Sequence, residues 1–482
     1  MSLFIYPILI IAGLLRFYNN TALALWHDEA FSALYMRYSW DEMMYRIGLD
    51  VHPPLYYWIL RLWTGFAGEH LMSLRLLSII FGVLTVWAAY AFVKVAWGRR
   101  LALLAALAIA LNPFQIQYAL EARMYTLGTF LALWSSYFMA KALQSEGVRK
   151  KYWIGYSLTV AAMLYTHYYL VFTIAAQGLF ILMHIIKYRS YKNILAAAAV
   201  YAGAAILYVP WLPTFMQQVA RVQESYWIPP MNAWSIPGTL WKMIFGGTGV
   251  RNSVLVIATL VTLLIFFYVI KKSSNFYKWF VVASVLMPVA AAVLLSLKTD
   301  IYLDRYFVFA SSFFSLLVML ALWHIGKRAI QIPLVVIFLG AMTYAFFGNW
   351  QVMDIKGKPG MAAASEVVNI EAGSNDKIIV GSSFIYFTFK YYNETGIDPQ
   401  LISDRRLRDI PHFSGTAILT DDDLILDLDK FKKGQTVWLL WTTGFGGSKP
   451  GLPKNWREQS ERSYADAPGF KGHIYVTRYT VN

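Results

Sequence analysis

Residues 279–297 read WFVVASVLMPVAAAVLLSL, nineteen positions without a charged side chain. About 20 apolar residues in helical form cross the hydrocarbon core of a bilayer, so this stretch reads as a transmembrane helix. Working outward from it, comparable runs recur at 3–18, 71–97, 101–114, 124–143, 152–166, 169–186, 194–213, 252–270, 306–324 and 330–348, eleven in all. Those at 101–114 and 152–166 are short, as tilted, paired or re-entrant segments are. Composition agrees: 58% of the 482 residues are hydrophobic and 14% are charged, whereas a soluble domain is about a quarter charged. The fold class expected is therefore a polytopic α-helical membrane protein. Cysteine is absent, which excludes disulfides, zinc–thiolate sites, iron–sulfur clusters and thiol nucleophiles.

The net charge of +15 would point to nucleic acid in a soluble chain. Here the excess lies in short loops and reports orientation. Arg99-Arg100, Lys141 with Arg149-Lys150-Lys151, Lys187 with Arg189 and Lys192, Lys271-Lys272 with Lys278, and Lys327-Arg328 occupy alternate loops, which are assigned to the cytoplasm. The longer, aromatic loops 19–70, 112–123, 214–251 and 298–305 then face outside. Arg16, at the outer end of the first run, opposes this assignment and is outvoted. The first run is expected to be an uncleaved helix: Ala22-Leu23-Ala24 resembles a cleavage site, but no basic segment precedes the run.

Composition changes after Trp350. Segment 351–482 is polar, with Gly357-Lys358-Pro359-Gly360 as a linker. Lys377 to Gly381, Ala417 to Thr420 and Thr436 to Trp441 read as buried strands, His473 to Val481 as an alternating edge strand, and Ala362 to Ile370 and Phe384 to Tyr392 as helices. The expected organisation is a transmembrane domain over 1–350 and a soluble α/β domain over 351–482. An odd number of spans places the latter outside. Trp227, Trp234 and Trp241 recur every seven residues, but Pro229, Pro230 and Pro237 forbid one continuous helix, so they read as interfacial anchors.

The conspicuous ionisable clusters fall at outer ends of spans. In Trp26-His27-Asp28-Glu29-Ala30 two acids follow the first span. Helical neighbours point about 100° apart, so one would face a reaction and the other would orient a neighbour. A simple helix cap, Asp28 capping Ala30 to Arg37, is a compatible reading. In Asp50-Val51-His52-Pro53-Pro54-Leu55-Tyr56-Tyr57 the prolines start a helix and hold Asp50 and His52 at its turn. After Asn112-Pro113-Phe114 comes Gln117-Tyr118-Ala119-Leu120-Glu121-Ala122-Arg123-Met124-Tyr125; as a helix it would align Gln117, Tyr118, Glu121 and Tyr125 on one polar-aromatic face, with Arg123 off it. Tyr165-Thr166-His167-Tyr168-Tyr169 is a fourth cluster. Lys298-Thr299-Asp300-Ile301-Tyr302-Leu303-Asp304-Arg305-Tyr306 is the fifth, and its Arg305 opens a span with a guanidinium suited to phosphate.

Taken in order, WHDEA, D-x-H-P-P-L-Y-Y, N-P-F…Y-x-x-E-A-R-M-Y, Y-T-H-Y-Y and D-R-Y-F resemble the GT-C membrane glycosyltransferases, the branch that holds the dolichyl-phosphate-mannose protein mannosyltransferases and the bacterial aminoarabinose transferase. The resemblance covers about residues 1–350. It implies an enzyme that moves a hexosyl or pentosyl group from a polyprenyl-phosphate carrier to an acceptor hydroxyl at the extracytoplasmic face of the cell membrane, with inversion. The acceptor would be a glycan, lipid or protein. By the same resemblance Asp28 would be the general base with Glu29 beside it. Glu121 and Arg123 would shape the donor-side cavity, and Arg305 and Tyr306 would lie near the carrier phosphate; Tyr118, Tyr125, Tyr168 and Lys298, from the same clusters, are further substrate-binding candidates. His52 and His167 match motif positions of less defined role. The protein mannosyltransferases proper carry an extra lumenal domain in a middle loop, which this chain lacks; that weighs against a protein acceptor.

The residues fit that chemistry independently. A lipid-phosphate sugar already has a good leaving group, so one carboxylate to take the acceptor's proton suffices, with cationic donors for the charge growing on the phosphate. A divalent metal could assist that chemistry, but no ligand spacing for one stands out in the sequence. The partners implied are the bilayer, the polyprenyl-phosphate sugar donor and an acceptor, with no nucleic acid. The competing class is a lipid or sugar transporter or flippase without transfer chemistry. Transport sites place ionisable groups or broken helices near the midplane, whereas the midplane segments here are nearly uncharged.

Overall fold

The computed structural model describes residues 3–144, 150–224, 227–247, 249–353, 360–466 and 472–482. Arg149 of the second basic loop and 357–359 of the expected linker lie outside the described residues. The chain divides into two compact units: Met1–Tyr18, His52–Leu60 and Arg75–Asn349 form the first, and Asn19–Val51, Arg61–Leu74 and Trp350–Asn482 the second.

Every run expected to span is helical. Among the described residues seven helices are long and apolar enough to cross a bilayer: Leu71–Trp97, Leu170–Tyr188, Lys192–Glu224, Asn252–Lys272, Tyr277–Ser296, Asp304–Trp323 and Arg328–Asn349. Arg99–Leu111 and Pro113–Ala119 form a pair bent by 59°, which makes an eighth if counted as one span. Ile5–Phe17, Tyr125–Gln144 and Lys150–Leu164 occupy the remaining positions.

The bend at residue 112 follows from its sequence. Asn112 ends one helix and caps the next: its Oδ1 accepts from the N–H groups of Phe114 (2.9 Å) and Gln115 (3.1 Å). Pro113, which has no N–H to lose, opens the second helix. The Asn112 Nδ2 donates to Met243 O and Ser315 Oγ, both at 2.9 Å, fixing the corner to two other helices. Arg16 completes it. Its guanidinium donates to Ala110 O at 3.0 Å and Ile109 O at 3.2 Å, carbonyls in the last turn of helix Arg99–Leu111, and to Ala12 O at 3.2 Å. Arg16 is wholly buried, so it serves helix packing and carries no information on orientation. Gly82 makes room for it, since a Cβ there would lie 2.9 Å from the Arg16 Cδ.

The second unit contains a six-stranded sheet of β1 (Lys377–Val380), β2 (Gln400–Ile402), β3 (Leu424–Ile425), β4 (Thr436–Thr442), β5 (Trp456–Ala465) and β6 (His473–Val481), in the order β3-β2-β1-β4-β6-β5. The first four strands are mutually parallel, and β6 joins β4 and β5 antiparallel. Ile379, Val437, Leu439, Trp441, Trp456, Tyr479 and Val481 share one core face, while Ile378, Val380, Trp438 and Leu440 are buried on the other. Burial on both faces is why β1 and β4 read as unbroken apolar runs. Helices Gly360–Glu371 and Ser383–Tyr392 fall where expected.

Two sheet expectations are corrected. Ala417–Thr420 is buried loop. β6 is an inner strand between β4 and β5, and the edges are the short β3 and β5, the latter with mostly exposed, polar residues. Such a strand lacks the alternation that would reveal it, because its stability comes from pairing with β6. Segments 19–51 and 61–74 pack within this same unit. Arg37 donates to Lys390 O (3.2 Å) and Tyr391 O (3.1 Å) at the end of the Ser383–Tyr392 helix, where a cation complements the helix dipole. Arg46 donates to Ala417 O (3.2 Å) and Ile418 O (2.7 Å), and the Leu25 N–H reaches Tyr392 Oη at 2.8 Å.

Candidate functional site

Asp28 and Glu29 lie in the first turn of helix His27–Tyr35, in the second unit. Trp26 is the N-cap residue, which corrects the reading of Asp28 as the cap. Glu29 is fully buried, and its Oε2 accepts from the Trp26 N–H at 3.4 Å, the carboxylate half of a capping box. Asp28 is half-buried. The two acids thus divide their work: Glu29 ties down the helix start while Asp28, rotated by about 100°, points elsewhere.

In the first unit the remaining motifs converge. His52 sits in the turn before Pro53-Pro54, and helix Leu55–Ala67 follows it. The expected single helix through 117–125 is broken. Helix Pro113–Ala119 ends, a tight turn closes with the Arg123 N–H on Glu121 O at 2.7 Å, and a new helix begins at Tyr125. Gln117 is consequently exposed while Tyr118 is buried. The break still brings Tyr118 and Tyr125 edge to face at 4.9 Å, and it turns Arg123 inward. Arg123 is only 3% exposed. Its Nη1 donates to Tyr57 Oη at 3.1 Å, and its Nη2 lies 3.3 Å from His52 Nε2. Glu121 is half-buried in the same turn.

His167 occupies the turn between helices Lys150–Leu164 and Leu170–Tyr188. Its ring lies 6.1 Å from those of His52 and Tyr125, and 5.0 Å from those of Tyr306 and Phe309. Burial holds this imidazole well below its usual range, and the neighbouring His52, Arg123 and Arg305 push the same way. It is therefore neutral at neutral pH. The Tyr169 N–H donates to its Nδ1 at 3.2 Å, which leaves the proton on Nε2. That Nε2 is buried without a hydrogen-bond partner among the described residues.

Arg305, in the short helical turn Asp304–Phe307, lies over the Trp227 ring at 5.3 Å. Asp304 beside it is paired with Lys242, and Tyr306 packs on Tyr169 at 4.7 Å. Tyr168 donates to Gln218 Oε1 and accepts from Trp211 Nε1 at 3.2 Å. Lys298 is exposed. Sequence reasoning overlooked Tyr57, Lys242 and Trp227 as participants. Tyr57 lay inside a quoted motif; Lys242, in an apolar helix with no motif around it, gave no signal. Among the described residues no group of three His, Cys, Asp or Glu side chains is placed to hold a metal ion.

Apolar helices whose polar and cationic side chains gather in the connecting turns, together with a small mixed sheet, define a membrane protein of the GT-C fold. Residues 51–213 match the sequence model of the family described as dolichyl-phosphate-mannose-protein mannosyltransferase. Nearly the whole chain is similar in fold to ArnT from Cupriavidus metallidurans bound to undecaprenyl phosphate. There the TM-score is 0.65 at 13% identity, with 98% of this chain and 97% of that one covered. The apo state of ArnT gives 0.63 over the same coverage, and the Archaeoglobus fulgidus oligosaccharyltransferase in the apo form gives 0.49 at 12% identity over 82% and 65% of the two chains. No curated protein sequence matches the chain. The resemblance read from the five motifs is thereby borne out: residues 51–213 match the family model, and the fold is similar to that of ArnT, a GT-C fold.

Proposed function

We propose that this chain is an inverting glycosyltransferase that moves a sugar from a polyprenyl-phosphate carrier to an acceptor hydroxyl on the extracytoplasmic face of the membrane. The observation that carries the proposal is the buried, unpartnered Nε2–H of His167, on whose ring His52, Arg123 and Arg305 all act. A donor group buried without a partner is costly, and one beside two guanidinium groups suits an anionic oxygen. The carrier phosphate supplies such oxygens, and ArnT is the neighbour bound to undecaprenyl phosphate. His52, Arg123, His167 and Arg305 are assigned to that phosphate, and Tyr118, Tyr125, Tyr168 and Tyr306 to the apolar and hydroxyl-lined surroundings of the donor. Glu121 and Lys298 are assigned to the same donor side by their motifs.

In the reaction, Asp28 takes the proton of the acceptor hydroxyl as its oxygen bonds to the anomeric carbon. The bond from that carbon to the phosphate oxygen breaks, and its electron pair stays on the phosphate, where the guanidinium groups stabilise it. Attack opposite the leaving group inverts the anomeric centre. Glu29, tied to the helix start, positions Asp28 and has no proton to move.

Transfer from polyprenyl-phosphate sugars by Asp28→Asn tests the reading. A carboxylate acting as general base contributes about 100- to 10,000-fold, so kcat is expected to fall by that order while carrier binding persists. Wild-type turnover in Asp28→Asn refutes Asp28 as the base, and carrier counterflow without any transfer product refutes the enzyme.

A further inference from the structure

The sheet of the second unit reverses its winding between β1 and β4. From β1 the chain winds outward to β2 and β3, then returns to place β4 on the other side of β1. Sheets of this kind bind ligands at the carboxyl ends of the two strands that flank the reversal, because the connections leave in opposite directions and open a crevice there. What occupies those ends here is aromatic. After β1, Ser382 caps helix Ser383–Tyr392 and presents Phe384. After β4, Thr443-Gly444-Phe445-Gly446-Gly447 presents Phe445. The two rings stack in parallel at 4.6 Å with 8° between their planes. Phe445 is 40% exposed.

Phe445 holds φ 54° and ψ 27°, the left-handed region that a bulky side chain avoids. Its three glycine neighbours would adopt that conformation without strain, yet the ring sits at the strained position. The loop around it is over-determined. The Gly444 N–H donates to Thr442 Oγ1 at 2.9 Å, the Gly447 N–H to Gly444 O at 2.9 Å, and the His473 N–H to Thr443 Oγ1 at 3.0 Å. A Cβ on Gly447 would lie 2.4 Å from Thr442 O, and one on Gly472 2.4 Å from Gly444 N. Strain that the surroundings enforce in this way is characteristic of ligand sites.

The aromatic pair continues to the Asp28 helix. Phe384 lies 5.4 Å from the His27 ring, and His27 lies 5.1 Å from Phe31 and 5.5 Å from Phe387. Gly415 lets this cluster close up, because a Cβ there would lie 2.2 Å from Phe387. The rings grade from buried Phe31 and Phe387 through half-buried His27 and Phe384 to exposed Phe445. Asp28 is the next residue after His27 on the same helix.

We infer that Phe445, backed by Phe384, is an acceptor platform: the acceptor carries a pyranose ring whose C–H face stacks on Phe445, with its hydroxyl directed to Asp28. The ring stacks because the axial C–H bonds of a pyranose form an apolar, slightly positive face that suits the negative face of an aromatic ring. The acceptor is on this view a glycan or the sugar headgroup of a lipid, and Phe445 is a specificity residue with no part in bond making. The inference rests on Asp28 as the base.

The test uses the full chain in nanodiscs and saturation-transfer NMR with methyl α-mannopyranoside, methyl β-glucopyranoside and methyl β-galactopyranoside as probes. At least one pyranoside is expected to receive saturation at its ring C–H protons from the wild type and from Phe445→Trp. Removing a stacking ring weakens binding by about tenfold or more, as it does for bases stacked on aromatic side chains, so Phe445→Gly is expected to lose the signal. Phe445→Gly also relieves the backbone strain, so its melting temperature should equal or exceed that of the wild type, which separates lost binding from unfolding. Asp28→Asn should keep the signal, because binding needs the ring and not the base. No saturation of any probe by the wild type, or equal saturation by Phe445→Gly, overturns the platform. Neither result touches the assignment of Asp28, which is decided by the transfer assay.

Discussion

Glu29 is fully buried and the adjacent Asp28 is half-buried, a difference that fits the proposed roles of a positioning carboxylate and a base. The adjacency of two acids after a span was legible in the sequence; which of them faces inward was not, because it depends on where helix His27–Tyr35 starts. The same holds for Arg123. Its motif marked it, but its hydrogen bond to Tyr57 and contact with His52 arise from a helix break that the i, i+3, i+4 pattern had hidden. His167 gives a prediction at this scale. Its native imidazole resists protonation below the ordinary value of 6.5 because it is buried, whereas the unfolded chain binds the proton near that value. Its contribution to stability is thus intact above about 6.5 and is lost as pH falls below it, by up to about 1.4 kcal/mol per pH unit. His167→Gln removes that slope. Melting followed by tryptophan fluorescence between pH 8 and 5.5 is expected to drop less in His167→Gln than in the wild type.

At the scale of elements, the apolar runs foretold the helices well, since period and length suffice when lipid is the solvent. The corner at Asn112 was only half visible. Asn-Pro announced a cap and a restart, but the partners that hold the 59° bend come from residues as remote as Arg16, Met243 and Ser315. Arg16→Leu removes the Arg16 donor from the buried Ala110 carbonyl and leaves Ile109 O with only the 3.4 Å bond from the Asn112 N–H, a loss of about 1–3 kcal/mol for an unsatisfied buried group. A fall in melting temperature is expected, with a smaller fall for Arg16→Lys, which keeps one donor head. Gly82→Ala should destabilise in the same direction by crowding Arg16. If Arg16→Leu melts with the wild type, the guanidinium does not hold the corner. In the sheet, β1 and β4 were readable as apolar runs, whereas β5 was not. A polar edge strand exists because β6 offers it a ladder, and pairing across sequence leaves no local trace.

For the whole molecule, alternate basic loops assign one side to the cytoplasm and thereby propose the C-terminal sheet for the other. The absence of native cysteine makes this directly measurable. In intact cells Ser460→Cys, on exposed β5, is expected to react with a membrane-impermeant maleimide, while Lys272→Cys, in a basic loop, should react only after permeabilisation. The reverse pattern would invert the topology and remove the acceptor reading with it. By itself the sequence determined that this chain lives in a membrane and how its spans are spaced, and it marked the motifs proposed to carry its chemistry. Those properties follow from the local cost of exposing charge or backbone to lipid. Only the tertiary structure decided that segments 19–51 and 61–74 fold in one unit with the C-terminal sheet, and that Arg16 is a buried brace. It alone set Phe445 at the winding reversal and left His167 with a buried donor to offer. These arise from contacts between residues tens to hundreds of positions apart, whose pairing is fixed by packing and hydrogen-bond satisfaction and not by any local preference of the chain.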